Sequence, residues 1–593
     1  MLTRALVVAS CVTACLCKVY DSASDLPSLS FDFVIVGGGT AGNVVANRLT
    51  ENPDFSVLVL EAGVSNEGVL DAMVPFWMFG GNLLGPTIYD WNYTTTPQAG
   101  LNDRVLEYSR AHMLGGCSSH NGMFYTRGTK DDFDRYAQLT GDPGWSWDAI
   151  LPYFLKNEKW VPPADHHDTR GQFDPSVHGT AGFIQTSISG FQYPTFQNKV
   201  LQTTKELPDV FPFNLDMNSG KPLGLGWLQY TTGHGRRSSS ATSYLAPEFT
   251  RRENLHVLLH AQVAKLVELR NTTGTLSFGG VQFLQGTSKF TATASKEIVL
   301  SAGTVGTPNI LMHSGIGDQS ILNAVGIPTL LHLPSVGQNV SDQPAFAASW
   351  KVNFNQTMEL ITQNTTRFNE AFAEWNRSHT GPLVDFSPTY VAWLRLDADS
   401  PIFENHTDPS AGLDTPHIEL AITPGTAGFG ASEPGHYVGA GMALVTPISR
   451  GSVTINSSDP LAPPLIDLGM LTSDFDLFAL REALKRAQQF FGAPVWQDSI
   501  IGPVQDFENI TSDALDVIIR NTAGPSLHLV GSAGMSARDA PYGVVDPDLL
   551  LKGVKGLRIV DASVLPLVPS SHTQAATYAV AERAADLIKQ RWE

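Results

Sequence analysis

Residues 31–60 read FDFVIVGGGTAGNVVANRLTENPDFSVLVL, and Glu61 follows directly. An apolar, β-branched run ends at the pattern Gly37-x-Gly39-x-x-Gly42, and a segment compatible with a helix comes next. A second apolar run starts at Val57. This order predicts a strand–helix–strand unit that begins the fold.

The three glycines of this unit have separate physical tasks. Gly37 allows the tight turn, Gly39 lets a pyrophosphate approach the backbone, and Gly42 lets the helix pack closely on the strand. We expect Thr40 and Ala41, at the start of the helix, to contribute amides that bind the phosphates with the help of the helix dipole. An adenine dinucleotide is therefore the predicted ligand.

Glu61 stands at the end of the second predicted strand. A carboxylate at this place accepts hydrogen bonds from a ribose diol. The alternative is a glycine-rich turn without a ligand. The register of strand, glycines, helix, strand and acid disfavours that alternative.

Composition limits the classes of protein to consider. The chain has 593 residues, of which 42% are hydrophobic and 16% charged, as in a globular protein of more than one domain. The formal net charge is -19, and no cluster of Lys and Arg offsets it. We therefore expect no nucleic-acid partner and no binding to acidic membranes.

The N-terminus has the pattern of a secretory signal. One Arg precedes an apolar stretch that is too short to span a bilayer, so residues 1–17 are predicted to be removed, with cleavage possible as late as residue 25. Three of the four cysteines lie in this segment, which leaves Cys117 alone in the mature chain. We expect a small structural role for Cys117, since no partner for a reactive thiol is implied.

Glycosylation signals agree with secretion. Asn-x-Ser/Thr acceptors occur at Asn92, Asn271, Asn339, Asn355, Asn364, Asn376, Asn405, Asn456 and Asn509. The sequence therefore predicts an extracellular glycoprotein, with some acceptors buried and unused.

Secondary structure can be outlined along the rest of the chain. Segments 64–108 and 160–235 are rich in loop-forming residues and are expected to be irregular. Strands are predicted at 255–259, 262–269, 296–300 and 557–560, antiparallel sheet around 389–396 and 417–423, and helices at 131–136, 148–156, 474–491, 512–521 and from 574.

The segment SAGTVGTPNILMHSGIG, residues 301–317, repeats the strand, glycine turn and helix order of the opening. Pro308 is expected within the first turn of its helix. We predict that this segment returns to the first sheet and closes around the dinucleotide.

A metal site is not predicted. His166, His167 and Asp168 are adjacent, but nothing nearby completes a set of ligands, so a polar surface loop is favoured. A metal-dependent hydrolase is disfavoured for the same reason.

Four blocks of the sequence together resemble one family. They are the dinucleotide unit, LGGCSSHNGM at 114–123, the segment 301–317, and the C-terminal stretches HLVGSAGM and DASVLPLVPSSHTQAATYAVAERAADLI. They resemble the glucose-methanol-choline oxidoreductases, FAD enzymes that oxidise alcohols.

The resemblance implies an α/β fold with a Rossmann-like FAD-binding domain and a substrate domain that has an antiparallel β-sheet flanked by helices. The implied bounds are 30–345 for the FAD-binding domain with inserted loops at 64–108 and 160–235, 346–525 mainly for the substrate domain, and 526–593 for a return to the FAD-binding domain.

The resemblance also implies roles for single residues. His528 would be the main catalytic base and His572 its partner, because histidine has a neutral form at working pH. Tyr93 would gate the substrate entrance. Further contacts to FAD are implied for Gly115, Ser118, His120, Asn121, Gly122, Met123, Val263, Ala302, Gly303, Asp561, Ala562 and Thr573.

Two branches of the family are similar to this chain. DWNYTTT at 90–96 resembles the aryl-alcohol oxidases, whereas HNGM, YTRG and HHDTRGQFDPSVHGT resemble the pyranose dehydrogenases. In the second branch, the histidine that matches His120 is linked covalently to the flavin. The alternative for His120 is a hydrogen-bonding loop histidine beside a non-covalent flavin.

The chain departs from the family pattern at two places. Asp342-Gln343 stands where much of the family has Asp-His, so a contact there is expected to differ. Leu527, before His528, replaces the aromatic residue that aryl-alcohol oxidases place against the substrate ring, which weakens that interpretation.

The resulting expectation is a secreted, monomeric pyranose dehydrogenase. It would oxidise sugars at C1, C2 or C3 with hydride transfer to flavin N5, and would pass electrons to quinones, radicals or metal complexes. The alternatives are an aryl-alcohol oxidase that makes H2O2 and, from a different class, a flavin-binding paralogue without turnover, which the retention of both histidines disfavours.

Overall fold

The structure is a computed structural model that describes residues 18–78, 83–268, 276–428, 433–507 and 510–593. The predicted signal segment 1–17 and the acceptors Asn271 and Asn509 lie outside the described residues.

The quoted stretch forms the centre of an eight-stranded sheet. Strand Ser30–Val36 pairs in parallel with Val57–Leu60, with Phe33 opposite Val57, and helix Gly42–Leu49 connects them. Strand Ser288–Leu300 pairs in parallel with the other edge of Ser30–Val36, so the segment that follows it does return to this sheet. The eight strands are Val19–Tyr20, Ser30–Val36, Val57–Leu60, Leu255–Leu258, Gln262–Glu268, Phe278–Gln285, Ser288–Leu300 and Leu557–Ile559.

Helices Gly42–Leu49 and Thr573–Trp592 pack against each other beside this sheet. Small residues of the C-terminal helix, such as Ala575 and Ala579, are fully buried, which lets the helices approach closely. Arg48 and Glu582 form a buried ion pair of 2.8 Å across the contact. The strand–helix–strand unit and the C-terminal helix thereby share one core.

A second, seven-stranded sheet is antiparallel and carries the long helix Asp474–Phe491 on one face. The apolar side of that helix, including Leu480 and Leu484, is buried against the sheet. The strands are Gly224–Trp227, Pro344–Val352, Tyr390–Leu394, Ile418–Thr423, His436–Leu444, Ile500–Pro503 and Gly524–Pro525. The predicted fold class, an α/β domain beside an antiparallel sheet with helices, is confirmed.

Two expectations about local structure are wrong. Segment 160–235 is not irregular throughout, because it contains helix Pro194–Glu206 and strand Gly224–Trp227, which pairs with Tyr390–Leu394. The strand has only 4 residues, and the 13-residue helix is rich in polar side chains, so the local pattern of both elements is weak.

Pro308 also differs from its expectation, since it lies in the middle of helix Gly303–His313 and not in the first turn. A proline there cannot donate a hydrogen bond to the carbonyl of Thr304. The hydroxyl of Ser532 donates to that carbonyl instead, at 2.7 Å. A side chain distant in sequence thus satisfies the acceptor that the proline leaves free.

The remaining elements connect and cover the two sheets. The helices are Leu70–Met73, Lys130–Thr140, Trp147–Asn157, Ser240–Tyr244, Pro247–Thr250, Gln319–Ala324, Glu359–Thr362, Thr365–Ser378 and Ser512–Thr522. The smaller strands are Tyr93–Thr94, Glu107–Tyr108, Glu158–Trp160, Ile184–Ile188, Gln229–Tyr230, Thr232–Gly233, Arg236–Arg237, Ile316–Gly317, Leu331–His332, Gln338–Val340, Gly451–Thr454 and Leu465–Asp467. Within the described ranges, no helix is both long and apolar enough to cross a bilayer.

Candidate active site

A cavity of about 940 Å³ is lined by residues from both sheets. One part lies at the carboxyl ends of parallel strands in the first sheet. Gly37, Glu61 and Ser301 each directly follow the last residue of such a strand and line the cavity. Open α/β sheets bind their ligands at this edge. The other part is lined by His528 and His572.

The glycine turn leaves the backbone open to the cavity. Gly37 has φ of +101°, and a Cβ there would lie 2.4 Å from the carbonyl oxygen of Ser301. A Cβ at Gly42 would lie 2.0 Å from the carbonyl oxygen of Gly37. At Gly39 the nearest atom to a Cβ would be Gly116 Cα at 3.8 Å, an ordinary van der Waals distance, and Gly39 lines the cavity.

Glu61 holds the turn from the second strand. Its two carboxylate oxygens accept hydrogen bonds from the amides of Gly38 and Gly63, both at 2.8 Å. Burial raises the pKa of Glu61 to about 7, although these amide hydrogen bonds lower it. A buried carboxyl group at this end of the cavity is suited to the hydroxyls of a ribose.

Unsatisfied polar atoms support the fit of a bound cofactor. Ser301 Oγ and Arg110 Nε are buried and have no hydrogen-bond partner among the residues that the structure describes, and both residues line the cavity. Buried polar groups in native proteins are nearly always hydrogen-bonded, so these atoms require a ligand or water. Together with the glycine turn and Glu61, they fit a dinucleotide that carries a polar flat ring.

The two predicted catalytic histidines lie together at the cavity wall. The ring centroids of His528 and His572 are 4.5 Å apart, with the ring planes at 77°. His528 follows the short strand Gly524–Pro525 of the second sheet, and His572 is the residue before the C-terminal helix, which packs beside the first sheet. The pair is therefore assembled from two elements, each associated with a different sheet.

His528 is held by two neighbouring residues. Its backbone amide donates to Asp342 Oδ1 at 2.8 Å, and its Nδ1 lies 2.7 Å from Gln343 Oε1. Burial, with the nearby His572 and Arg110, lowers the pKa of His528 well below its ordinary value. The imidazole is therefore neutral at working pH, which is the form that a base requires.

His572 contacts an acid that the sequence did not indicate. Its Nε2 lies 3.0 Å from Glu419 Oε1, and its ring packs on Phe124 with a centroid separation of 4.3 Å. Glu419 is a single acidic residue within the buried strand Ile418–Thr423. A lone carboxylate in an apolar strand was the available signal, since such a group needs a partner.

His120 is buried at the cavity wall among acceptors. Its Nε2 lies 2.7 Å from the carbonyl oxygen of Leu83 and 3.2 Å from Asp90 Oδ2. Burial raises the pKa of Asp90, but hydrogen bonds from His120 and Ser109 outweigh this and hold the pKa below its ordinary value. The sequence pattern around Asp90 does not indicate that it is a partner of His120.

Most of the predicted cofactor-binding residues line the same cavity. Besides those described above, they are Thr40, Ala41, Asn121, Gly122, Met123, Val263, Ala302, Gly303, Asp561, Ala562 and Thr573. Asp561 Oδ2 accepts hydrogen bonds from the amide of Gly303 and the hydroxyl of Thr307, at 2.9 and 2.7 Å. It therefore fixes the start of the helix that faces the cavity.

Three predicted cofactor contacts lie behind the wall instead. Gly42 packs on the carbonyl of Gly37, as its helix requires. Ser118 Oγ donates to the carbonyl of Gly115 at 2.6 Å and accepts from the amide of Ser240 at 2.9 Å. Gly42, Gly115 and Ser118 shape the loops that begin at Gly37 and Gly115, and they do not line the cavity.

Tyr93, the predicted gate residue, and Leu527, predicted to face the substrate before His528, both line the cavity. Tyr93 stacks on Trp91, with ring centroids 5.6 Å apart and planes at 3°. The carbonyl of Leu527, whose φ is +65°, accepts a hydrogen bond of 2.7 Å from Arg110 Nη2. Arg110 thus anchors the turn that carries His528.

The histidine-rich segment contacts mainly its own neighbours, and Gln192 Nε2 also lies 3.4 Å from His167 Nδ1. His167 lies 2.6 Å from Asp165 and 2.9 Å from Gln172, and Asp168 pairs with Arg170. In the part of the chain that the structure describes, no group of three or more His, Cys, Asp or Glu is placed to hold a metal ion.

Comparisons with known proteins agree with this architecture. Family models for GMC oxidoreductases match residues 31–345 and 447–581. The dehydrogenase eriK of Hericium erinaceus is 43% identical over 98% of this chain and 98% of its own length. The pyranose dehydrogenase of Agaricus campestris is 43% identical over 97% of this chain and 96% of its own length.

A solved structure has the same fold. A single-residue variant of formate oxidase from Aspergillus oryzae superposes with a TM-score of 0.86, at 28% identity, over 95% of this chain and 98% of that chain. The chain therefore belongs to the GMC oxidoreductase family, which confirms the resemblance and the prediction of an FAD-dependent oxidoreductase that acts on CH–OH donors.

Proposed function

We propose that the protein is a secreted sugar dehydrogenase that oxidises pyranoses at the C1, C2 or C3 hydroxyl. The observation that carries this proposal is the pair of imidazoles at the cavity wall, with centroids 4.5 Å apart. The similarity to the pyranose dehydrogenase of Agaricus campestris, 43% identical over 97% of this chain, supports a sugar as the substrate class.

The chain's own residues divide the work of alcohol oxidation. His528, neutral because of burial and neighbouring groups, would accept the hydroxyl proton of the substrate. His572, held by Glu419, would bind the same hydroxyl and keep it in a reactive orientation. Bound FAD supplies the hydride acceptor, N5.

The bound cofactor would be held along the whole cavity. The turn at Gly37 and Gly39 would hold the pyrophosphate, Glu61 the ribose, and the 121–123 segment the flavin ring. Val263 would lie near the adenine. These residues line one continuous cavity, which supports a single dinucleotide.

We propose that His120 is linked covalently to the flavin. Its imidazole lines the cavity, and Asp90 Oδ2, 3.2 Å from Nε2, would hold the ring in position for the link. Acid precipitation of the native protein should leave the yellow flavin in the pellet, whereas that of His120→Ala should release it. Release from the native protein contradicts the link.

Secretion, glycosylation and a monomeric state are part of the same proposal. They rest on the N-terminal pattern and the glycosylation acceptors. Treatment of the protein from culture medium with an N-glycan hydrolase should lower its apparent mass, and an unchanged mass counts against glycosylation.

An aryl-alcohol oxidase is the second candidate. The stacked Trp91–Tyr93 pair and Phe124 at the cavity supply aromatic surface for a benzylic ring. Electron transfer would then go to O2 with formation of H2O2, and not to quinones, radicals or metal complexes.

Anaerobic stopped-flow measurements separate the two candidates. We expect glucose to reduce the flavin much faster than 4-methoxybenzyl alcohol, and benzoquinone to reoxidise it much faster than air-saturated buffer. Faster reduction by the benzylic alcohol, with rapid reoxidation by air, supports the oxidase instead. The variant His332→Ala, outside the cavity, is the control for nonspecific effects, whereas His528→Ala, inside the cavity, should slow reduction by the true substrate.

A further inference from the structure

Gln343 connects the two segments that carry the catalytic histidines. It is fully buried, and its backbone carbonyl accepts from the amide of Ser526 at 2.9 Å. Its side-chain amide nitrogen reaches the loop before His572, at 3.0 Å from the carbonyl oxygen of Pro569. The residue therefore lies between His528 and His572 and contacts both segments.

The surroundings fix which way the amide of Gln343 points. Its Nε2 lies 3.2, 3.0 and 3.3 Å from the carbonyl oxygens of Val445, Pro569 and Ser571. Carbonyl oxygens only accept hydrogen bonds, so the NH2 group must face them. The opposite orientation would place four oxygens against one another without a proton between them. The amide oxygen therefore faces His528.

This orientation determines where the proton of His528 lies. Gln343 Oε1 is 2.7 Å from His528 Nδ1, and an amide oxygen can only accept. A neutral imidazole carries one proton, so a proton on Nδ1 leaves a lone pair on Nε2. We propose that Gln343 is a positioning residue that holds neutral His528 in its Nδ1–H form and so makes Nε2 the basic atom at the cavity.

The charged groups around His528 do not perform this task. Arg110 and His572 lower the pKa of the imidazole, while Asp342 binds the backbone amide and not the ring. Glu419 lies against His572. Burial, His572 and Arg110 favour the neutral form of His528, whereas the contact with Gln343 selects between its two neutral tautomers. The inference rests on the proposed role of His528 as base.

Three variants test the inference. Gln343→Met removes both the acceptor and the donors at nearly the same volume. Gln343→His introduces the residue expected at this position from the family resemblance, whose ring can accept from Nδ1–H and donate on its other side. Gln98→Met is the matched control, because Gln98 is also fully buried and its amide binds Thr96 and Asp467 outside the cavity.

A first measurement reports the tautomer without turnover. In protein labelled with 15N-histidine, the signals of His528 are identified by their loss in His528→Asn. We expect a protonated Nδ1 and an unprotonated Nε2 in the native protein and in Gln98→Met, and a mixture in Gln343→Met. A native signal with the proton on Nε2 overturns the inference, whatever the substrate.

A second measurement follows flavin reduction by glucose and by 4-methoxybenzyl alcohol without oxygen. With the donor that reduces the native protein, Gln343→Met should have a limiting rate about tenfold lower, as expected for loss of one net hydrogen bond, with an unchanged apparent dissociation constant. Gln343→His should recover most of the rate. A native rate in Gln343→Met, or an equal loss in Gln98→Met, contradicts the proposal.

The two measurements separate this inference from the proposed function. If neither donor reduces the native flavin, the proposed function fails, and the nitrogen signals of the native protein still report the tautomer. If Gln343→Met does not fold, the native signals and the rate of Gln343→His decide the question.

Discussion

At the scale of single residues, the reactivity of the site depends on the surroundings of His528, which do not stabilise a positive charge on its imidazole. The imidazole is buried, Arg110 is close by, and the second imidazole is 4.5 Å away between centroids. Each of these neighbours disfavours the imidazolium. The arrangement therefore favours a neutral base that must pass its proton on after each turnover.

Substitution of His528 should separate chemistry from cofactor binding. We expect His528→Ala to keep its flavin but to be reduced by sugar about 10²- to 10⁴-fold more slowly, the range for loss of a positioned base. Stopped-flow absorbance at the flavin band measures the rate. His332→Ala, an exposed histidine outside the cavity, should reduce as the native protein does. A native rate in His528→Ala contradicts its role as base.

Glu61 should make the stability of the flavin-free protein depend on pH. Burial raises its pKa from 4.5 to about 7, so the folded state binds this proton more tightly than the unfolded state. The contribution is complete below about pH 4.5 and is lost as the pH rises through 7, with a size of roughly 3 kcal/mol.

Urea unfolding at a series of pH values tests this effect. Both proteins are prepared flavin-free in the His120→Ala background. Between pH 4.5 and 7.5 the protein with Glu61 should lose stability relative to the one with Glu61→Gln, because the glutamine does not titrate. A constant difference between the two proteins over this range would show that Glu61 has no raised pKa. The comparison cancels opposing contributions, such as that of buried His528.

At the scale of elements, the helix Gly303–His313 depends on a contact that its own sequence does not contain. Pro308 leaves the carbonyl of Thr304 without its helical donor, and Ser532 supplies one at 2.7 Å. The helix starts at the cavity wall, where Asp561 holds the amide of Gly303. Its stability therefore bears directly on the shape of the cofactor site.

A double-mutant cycle should reveal this compensation. We expect Ser532→Ala to cost about 1–3 kcal/mol in the native background, because a buried carbonyl loses its donor. In the Pro308→Ala background the same change should cost less, since the restored amide of residue 308 can donate to Thr304. Urea denaturation of the four proteins gives the coupling energy. Equal costs in both backgrounds contradict the interpretation.

At the scale of the whole molecule, the cavity joins parts of the chain from residue 36 to residue 577. A ligand that contacts both sheets stabilises the folded state as a unit, by an amount that grows with its concentration over its dissociation constant. We therefore expect the bound cofactor to stabilise the packing of the two sheets against each other.

Removal of the flavin tests this connection. With His120→Ala, the flavin should dissociate, and the apoprotein should unfold at a lower temperature than the reconstituted protein. At a thousandfold excess of FAD over its dissociation constant, the difference in the free energy of unfolding should reach about 4 kcal/mol. Calorimetry with and without FAD measures it. Equal unfolding temperatures would mean that FAD does not bind the folded state of this variant.

The sequence allowed much of the fold to be predicted, because the decisive signals are local. The turn from Gly37 to Gly42 and the apolar strands beside it depend on neighbouring residues only. The helix Asp474–Phe491 has the predicted bounds for the same reason, since its apolar stripe and its N-cap residue Ser473 are contiguous in the chain. Helix Pro194–Glu206 was missed because it is recognisable mainly by what it packs against.

The sequence by itself determined the nucleotide-binding unit, because the backbone freedom of glycine needs no neighbour to supply it. The resemblance of the C-terminal blocks to the family picked out His528 and His572 as the candidate catalytic histidines. Only the tertiary structure decided their partners. Gln343 and Asp342 at His528, Glu419 at His572, and Asp90 at His120 come from segments far apart in the chain. A hydrogen bond between such segments has no local signature, since it exists only after both sheets have packed and excluded water from the groups between them.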